Sequence, residues 1–146
     1  MKRKGKIKMW ILIVLGVLAL TMGGGILFTG PGRRELMEMT FAAMDFKSLP
    51  KGTYIGEYKG TKDQFRNEKV QVTISENGVA GIKVLEGPVL KEGKPVEIRN
   101  GLTIDDLSQR IVMSQSLAVD VISGATLTSK AHLRAVENAL SNARGK

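Results

Sequence analysis

The sequence predicts an α+β fold, a small antiparallel sheet packed with two or more helices and preceded by one N-terminal transmembrane helix. Three observations predict it. Residues 9–28 hold no charge over 20 positions. Val70, Val72 and Ile74 alternate with Gln71, Thr73 and Ser75 and run into Asn77-Gly78, as a half-buried strand entering a hairpin does. Leu133, Val136, Leu140 and Ala143 recur at helical spacing near the end of the chain.

The first of these sets the organisation. At about 1.5 Å per residue, the apolar run is long enough for the ~30 Å hydrocarbon core of a bilayer. Five basic residues (Lys2, Arg3, Lys4, Lys6, Lys8) precede it, and Arg33 and Arg34 follow soon after. The positive-inside rule then makes residues 1–8 a cytoplasmic basic tail, 9–28 an anchor, and the remainder extracytoplasmic, giving a single-pass cell-membrane protein. A cleavable signal peptide competes with this reading. Its apolar core is usually shorter and ends in a small-x-small site, which only Gly23 to Gly25 loosely match, so an uncleaved anchor is expected. Trp10 stands where an interfacial aromatic would sit.

The formal charge of +8 is mostly that tail, since 17 basic and 14 acidic residues remain beyond it. That balance is ordinary, no nucleic-acid-binding motif accompanies it, and nucleic-acid binding is not expected. Cysteine is absent, which excludes disulfides and thiolate metal sites.

Residues 29–50 read as a linker. Gly30-Pro31-Gly32 should break the helix, and residues 33–46 could form a short one with Leu36, Met37, Met39, Phe41 and Met44 as an apolar stripe. That stripe would dock on the domain or lie on the membrane surface. Residues 51–146 form the domain. Tyr54, Gly56 and Tyr58 share one face of a first strand at 53–59, and the tyrosines read as strand residues rather than stacking platforms. Residues 69–75 and a return strand carrying Ala80, Ile82 and Val84 complete a meander. Residues 87–101 read as a loop with a short strand at 96–98. Thr103 caps a helix with Asp105 and Asp106 in its first turn and Ile104, Leu107 and Ile111 as its apolar stripe, which explains the paired carboxylates without catalysis. Leu117, Val119 and Val121 suggest a last strand, followed by a helix at 129–143. His132 and Arg134 lie off that helix's stripe, and His132 reads as solvated.

The corner before the last helix carries the chemistry. Residues 120–130 read DVISGATLTSK, a strand end, a turn of small residues and a helix start rich in hydroxyls. A helix start leaves N–H groups without intrahelical partners at the positive end of the dipole, where a phosphate can settle. Ser123, Thr126, Thr128 and Ser129 offer side-chain donors, while Gly124 and Ala125 keep the approach open. Asp120 could project beside the turn.

The run Asp120-Val121-Ile122-Ser123-Gly124-Ala125-Thr126 resembles the D-x-x-[ST]-G-A-T pattern of the FMN-binding domain family, which includes flavin-carrying subunits of the sodium-pumping NADH:quinone oxidoreductase and of the Rnf complex. The GTYIGEYKG stretch extends that resemblance over the meander. The resemblance implies FMN as cofactor, a phosphoester at Thr126 made by a separate FMN transferase, and a role for Asp120 in supporting the turn or in recognition by that enzyme. The chain lacks the additional sequence of the larger complex subunits, so the resemblance does not extend to membership in such an assembly.

No Ser-His-Asp set, metal-ligand spacing, Walker motif or Rossmann fingerprint is visible, so neither catalytic residues nor a metal site are expected. The expectation is an extracytoplasmic flavoprotein that passes electrons from a membrane donor to an extracytoplasmic acceptor, and that is a carrier rather than a self-contained enzyme. Two alternatives stay open: a small flavin-dependent reductase acting on a soluble substrate, and a flavin-free tethered interaction or sensor domain.

Overall fold

A computed structural model of the chain describes residues 3–145, with side chains described for 9–19 and 30–145. Helix α1 (Arg3–Glu38) is followed by an irregular stretch, a 3-10 turn (Phe46–Ser48), and three strands, β1 (Gly52–Tyr58), β2 (Glu68–Ser75) and β3 (Gly78–Glu86). A two-residue hairpin, β4 (Leu90–Lys91) and β5 (Lys94–Pro95), precedes α2 (Ile104–Ser114) and α3 (Thr126–Arg144). The sheet is the antiparallel meander β1-β2-β3. The short strand expected at 96–98 is instead the β4–β5 hairpin just upstream.

Strand alternation holds through β1 and β2. Tyr54, Gly56 and Tyr58 face inward on β1, as Glu68, Val70, Val72 and Ile74 do on β2. Both tyrosines are core residues. Burial, with help from the Glu35 and Asp63 carboxylates, raises the Tyr58 hydroxyl above its ordinary pKa. On β3 the expected parity fails at one residue. Ile74 pairs with Val79 but Thr73 with Gly81, so Ala80 is an extra residue in a bulge. Val79 turns inward and Ala80 is exposed, while beyond the bulge Ile82 and Val84 stand opposite Val72 and Val70 on the inner face, as expected; a second irregularity follows at Leu85.

The long helix α3 lies across the sheet, and Gly56 marks the closest approach. A Cβ there would sit 2.1 Å from the Ala135 carbonyl oxygen and 2.4 Å from the Ala139 nitrogen. Asn138 and Asn142 also serve the free edge of β1: Asn138 Oδ1 accepts from the Glu57 N–H (3.0 Å), and Asn142 donates to the Ile55 carbonyl (2.8 Å). This satisfies edge groups that would otherwise be open to another chain.

Helix α1 does not stop at Gly30-Pro31-Gly32, as expected, but runs through Pro31 to Glu38. A proline inside a helix removes a hydrogen bond and clashes with the preceding turn. Here tertiary ties hold the last turns in place. Leu36 is fully buried, and the Glu35 carboxylate accepts from the Thr61 N–H (3.2 Å) and hydroxyl (3.0 Å). Lys130 donates to the Met37 and Met39 carbonyls (2.6 and 3.2 Å), a cation at the negative end of the helix.

The irregular stretch is packed as well. The Ala42 N–H donates to Glu137 Oε1 (2.9 Å), Phe46 and Leu49 are buried, and Met39, Phe41 and Met44 pack against the core. The core thus reaches back to Leu36; of the expected stripe, Leu36, Met39, Phe41 and Met44 dock on the domain, while Met37 is exposed.

Among the described residues no helix is long and apolar enough to cross a membrane. Within the run 9–28, the side chains from residue 20 onward lie outside the described residues. Those of Met9, Trp10 and the aliphatic residues up to Leu18 are more than half exposed.

Candidate functional site

Residues 117–122 lead into the corner before α3. They pair with no strand among the described residues, although Leu117 and Ile122 are buried and Val119 and Val121 partly so. The expected last strand is therefore an extended segment held by side chains. Arg110 Nη1 donates to the Asp120 carbonyl (2.8 Å), and the Ile122 N–H donates to Ser129 Oγ (3.1 Å). Ser129 is fully buried by this arrangement and belongs to the corner's scaffold rather than to an open ligand face.

The Ala125 N–H bonds back to the Ile122 carbonyl (2.9 Å), closing a turn in which Gly124 has φ +78°. That left-handed geometry is the reason for glycine at this position. The helix begins with the Ser129 N–H donating to the Ala125 carbonyl (2.9 Å). Ala125, the N-cap, has no side-chain acceptor to offer, and no acid lies in the first turn. Among the described residues no acceptor meets the N–H groups of Thr126, Leu127 and Thr128.

Helix α2 shows what a self-contained start looks like. There the Asp106 carboxylate accepts from the Thr103 N–H (2.7 Å) and hydroxyl (3.1 Å), with Asp105 beside it in the first turn. These bonds lower the Asp106 pKa below its ordinary value, the backbone bond contributing most. One helix supplies its own negative charge at the N-terminus; the other leaves that place open for an anion.

A cation stands at the open one. A Cβ on Gly124 would lie 2.9 Å from Arg99 Nε and 3.2 Å from Arg99 Cζ, so the guanidinium group rests against the turn. The Arg99–Leu102 bridge positions it, the Leu102 N–H donating to the Arg99 carbonyl (2.9 Å). Sequence reasoning missed Arg99, which lies in the stretch with the least pattern. Its signal, an arginine four residues before a helix cap, is too common to read.

Ser123 and Gly124 are exposed, Ala125 is buried, and Thr126 and Thr128 are half-buried along one turn of chain. The structure brings these five residues together. Asp120 is exposed and tied to Arg110 through its carbonyl, and its carboxylate makes no hydrogen bond to the turn among the described residues. The residues fit a phosphate: three open amides and several hydroxyls lie along one turn of chain, with a guanidinium group against Gly124 and no carboxylate in the first helical turn.

A second feature lies between α2, β3 and the β4–β5 hairpin. It is a cleft of about 470 Å³, a size typical of small-molecule sites, with Ile82, Val84, Leu90 and Val112 among its apolar walls and Ser108 and Gln109 among its polar groups. Residues 123–128 do not line it. Behind Ser108, His132 Nε2 lies 2.9 Å from Ser108 Oγ, and His132 Nδ1 is hydrogen-bonded to Glu68 Oε1. Ser108 and Glu68 are 4% exposed and His132 is 0% exposed.

His132 is therefore not solvated as expected, and a serine, histidine and carboxylate do meet. The cause is the wide buried arc of α3, which takes in His132 because helix, sheet and docked linker surround it. Elsewhere on that arc, Glu137 is buried with Arg134 and the Ala42 N–H as its partners. Among the described residues no group of three or more His, Cys, Asp or Glu is placed to hold a metal ion.

The family model of the FMN-binding domain matches residues 66–141, from just before β2 to near the end of α3. No curated protein and no solved structure matches the chain. The matched segment spans half of the chain and contains the open helix start, its SGAT turn and Arg99. The chain belongs to the FMN-binding domain family, and FMN is the cofactor that this family supports.

Proposed function

We propose that this chain is a membrane-anchored extracytoplasmic flavoprotein that carries FMN through a phosphoester on Thr126 and relays electrons from a membrane donor to an extracytoplasmic acceptor. The observation carrying this reading is the uncapped start of α3, whose three open amides face no acid and sit beside Arg99. Those amides and the guanidinium group would hold the phosphate, and Gly124 lets it approach the backbone. Half-exposure of Thr126 leaves its hydroxyl within reach of an FMN transferase. When bound, the flavin supplies one- and two-electron redox chemistry, while the protein tethers and orients it.

Support for the anchor comes from the uncharged run at 9–28 and from the exposed apolar surface at Met9 to Leu18, which is far more contiguous than a free surface usually carries. The basic residues before it place the N-terminus in the cytoplasm.

The test is to produce the full chain with and without an FMN transferase and to weigh it. A mass gain matching esterified FMN, lost in Thr126→Ala and kept in Thr128→Ala, supports the reading. Absence of both adduct and yellow colour would leave the interaction or sensor module ahead. Turnover of a soluble substrate by the purified flavoprotein would favour the small reductase.

A further inference from the structure

Three polar residues meet in the core without a structural need that apolar residues could not meet. Glu68 occupies an inward position of β2 in step with Val70 and Val72; Ser108 lies on the buried face of α2 with Ile104, Leu107 and Ile111; His132 lies on the buried arc of α3. Buried ionic groups cost desolvation energy, and well-packed apolar replacements are often as stable or more so. A cluster of this kind opening onto a cleft is a functional candidate.

One arrangement of protons satisfies each of these hydrogen bonds. The Ile104 carbonyl can only accept, so Ser108 donates its hydroxyl proton there (3.2 Å). Ser108 Oγ then accepts from His132 Nε2–H, and Glu68 accepts from Nδ1–H. Every polar hydrogen has an acceptor when the ring is doubly protonated, and the carboxylate balances its charge. Ser108 is the member of the group that lines the cleft, where Lys83 and Asp105 are the charged neighbours.

We infer that the Glu68–His132 pair stores one proton, and that Ser108 passes it into the cleft to a redox ring that gains negative charge on reduction. This rests on the reading that the chain carries FMN, and it assigns the cleft to the ring. In the transfer, Ser108 turns its hydroxyl from Ile104 towards the cleft and its O–H proton goes to the ring; the Nε2–H bond breaks as that proton replaces it on Oγ. His132 is left neutral, its Nδ1–H still donated to the Glu68 carboxylate. The electrons come from the external donor, and on reoxidation the proton returns by the same path. Ser108 and His132 thus act as a proton-donating pair, with Glu68 as a positioning residue that holds the ring orientation and balances its charge.

The chain has one histidine, so a ¹⁵N-histidine label reports on His132 alone. The full chain, loaded with FMN and checked for the adduct by mass, is compared by ¹⁵N NMR in the oxidised and electrochemically reduced states. The expected result is two protonated ring nitrogens when oxidised and loss of the Nε2 proton when reduced. Ser108→Ala keeps the oxidised pattern after reduction, and Ser108→Thr, which retains the hydroxyl, restores the change.

An unchanged His132 in the reduced wild type, or the same proton loss in Ser108→Ala, overturns the inference. So does covalent labelling of Ser108 by a serine-directed fluorophosphonate, which would make it a nucleophile. Failure of the flavin reading shows separately as a missing adduct. In that case the unloaded chain still decides whether the proton is stored, because a singly protonated His132 at neutral pH overturns it.

Discussion

Replacing Gly124 by alanine perturbs the candidate phosphate site in two ways that can be told apart. Its φ of +78° is left-handed, which costs an L-residue about 1–2 kcal/mol. The new methyl group would also lie 2.9 Å from Arg99 Nε, tighter than a carbon contact tolerates. Arg99 is exposed and flexible, so moving it adds only about 0.5 kcal/mol of rotamer strain. The sum is about 1.5–2.5 kcal/mol, and at roughly 4–8 °C per kcal/mol it lowers Tm by about 6–20 °C.

The functional loss comes through the displaced guanidinium group, so Arg99→Ala should reproduce it without the stability loss. Both variants are expected to cut the yield of the FMN adduct by about tenfold, corresponding to about 1.4 kcal/mol. The double variant should lose little more than either one, since both remove the same contact. Thermal melts of the full chain and adduct mass spectrometry give the two readouts. A Gly124→Ala protein as stable as wild type would refute the left-handed turn, and unchanged adduct in Arg99→Ala would refute the role of the cation.

Gly56→Ala should be more damaging, because its Cβ would meet backbone atoms of α3 that cannot rotate away; a loss of about 3 kcal/mol is expected in denaturant titrations. Asp106→Asn tests the capping charge on α2. Since folding lowers the Asp106 pKa, its stabilisation is complete above the ordinary carboxylate value of about 3.9 and disappears as pH falls through the lower folded value. The Tm gap between wild type and Asp106→Asn should accordingly be present at pH 7 and close in strong acid. Lys130→Met removes the donor to the Met37 and Met39 carbonyls; limited proteolysis at residues 39–45 should quicken by about fivefold, for about 1 kcal/mol of local stability.

The meander, the Asn77-Gly78 hairpin and the start of α2 were legible because each is a local pattern: strict alternation, a turn dipeptide and a cap followed by carboxylates. The SGAT corner was legible as a helix start for the same reason. What escaped was set by tertiary contact. The bulge at Ala80 turns Val79 inward in its place without any residue type announcing it. Pro31 is overridden by ties from Thr61 and Lys130, which lie far along the chain. Arg99 reaches Gly124 only because the fold brings two loops together. Glu68 fell one residue outside the strand expected at 69–75, Ser108 was not singled out beside Leu107, and His132 was set off its helix's stripe; the missed signal was that polar residues extending three inward faces must find one another.

The docking of residues 36–49 changes what kind of tethered protein this would be. On the anchored reading, the domain is a fixture, not a pendulum. The last turns of α1 are part of the globular interior, so on that reading a flavin at the corner would keep a constant bearing towards the lipid, and a redox partner would have to approach it from a set direction. A soluble fragment trimmed at Gly52 would lack Leu36, Phe46 and Leu49, each contributing about 1.5–3 kcal/mol of burial if fully enclosed. The shortest fragment that retains its floor therefore begins ahead of Glu35.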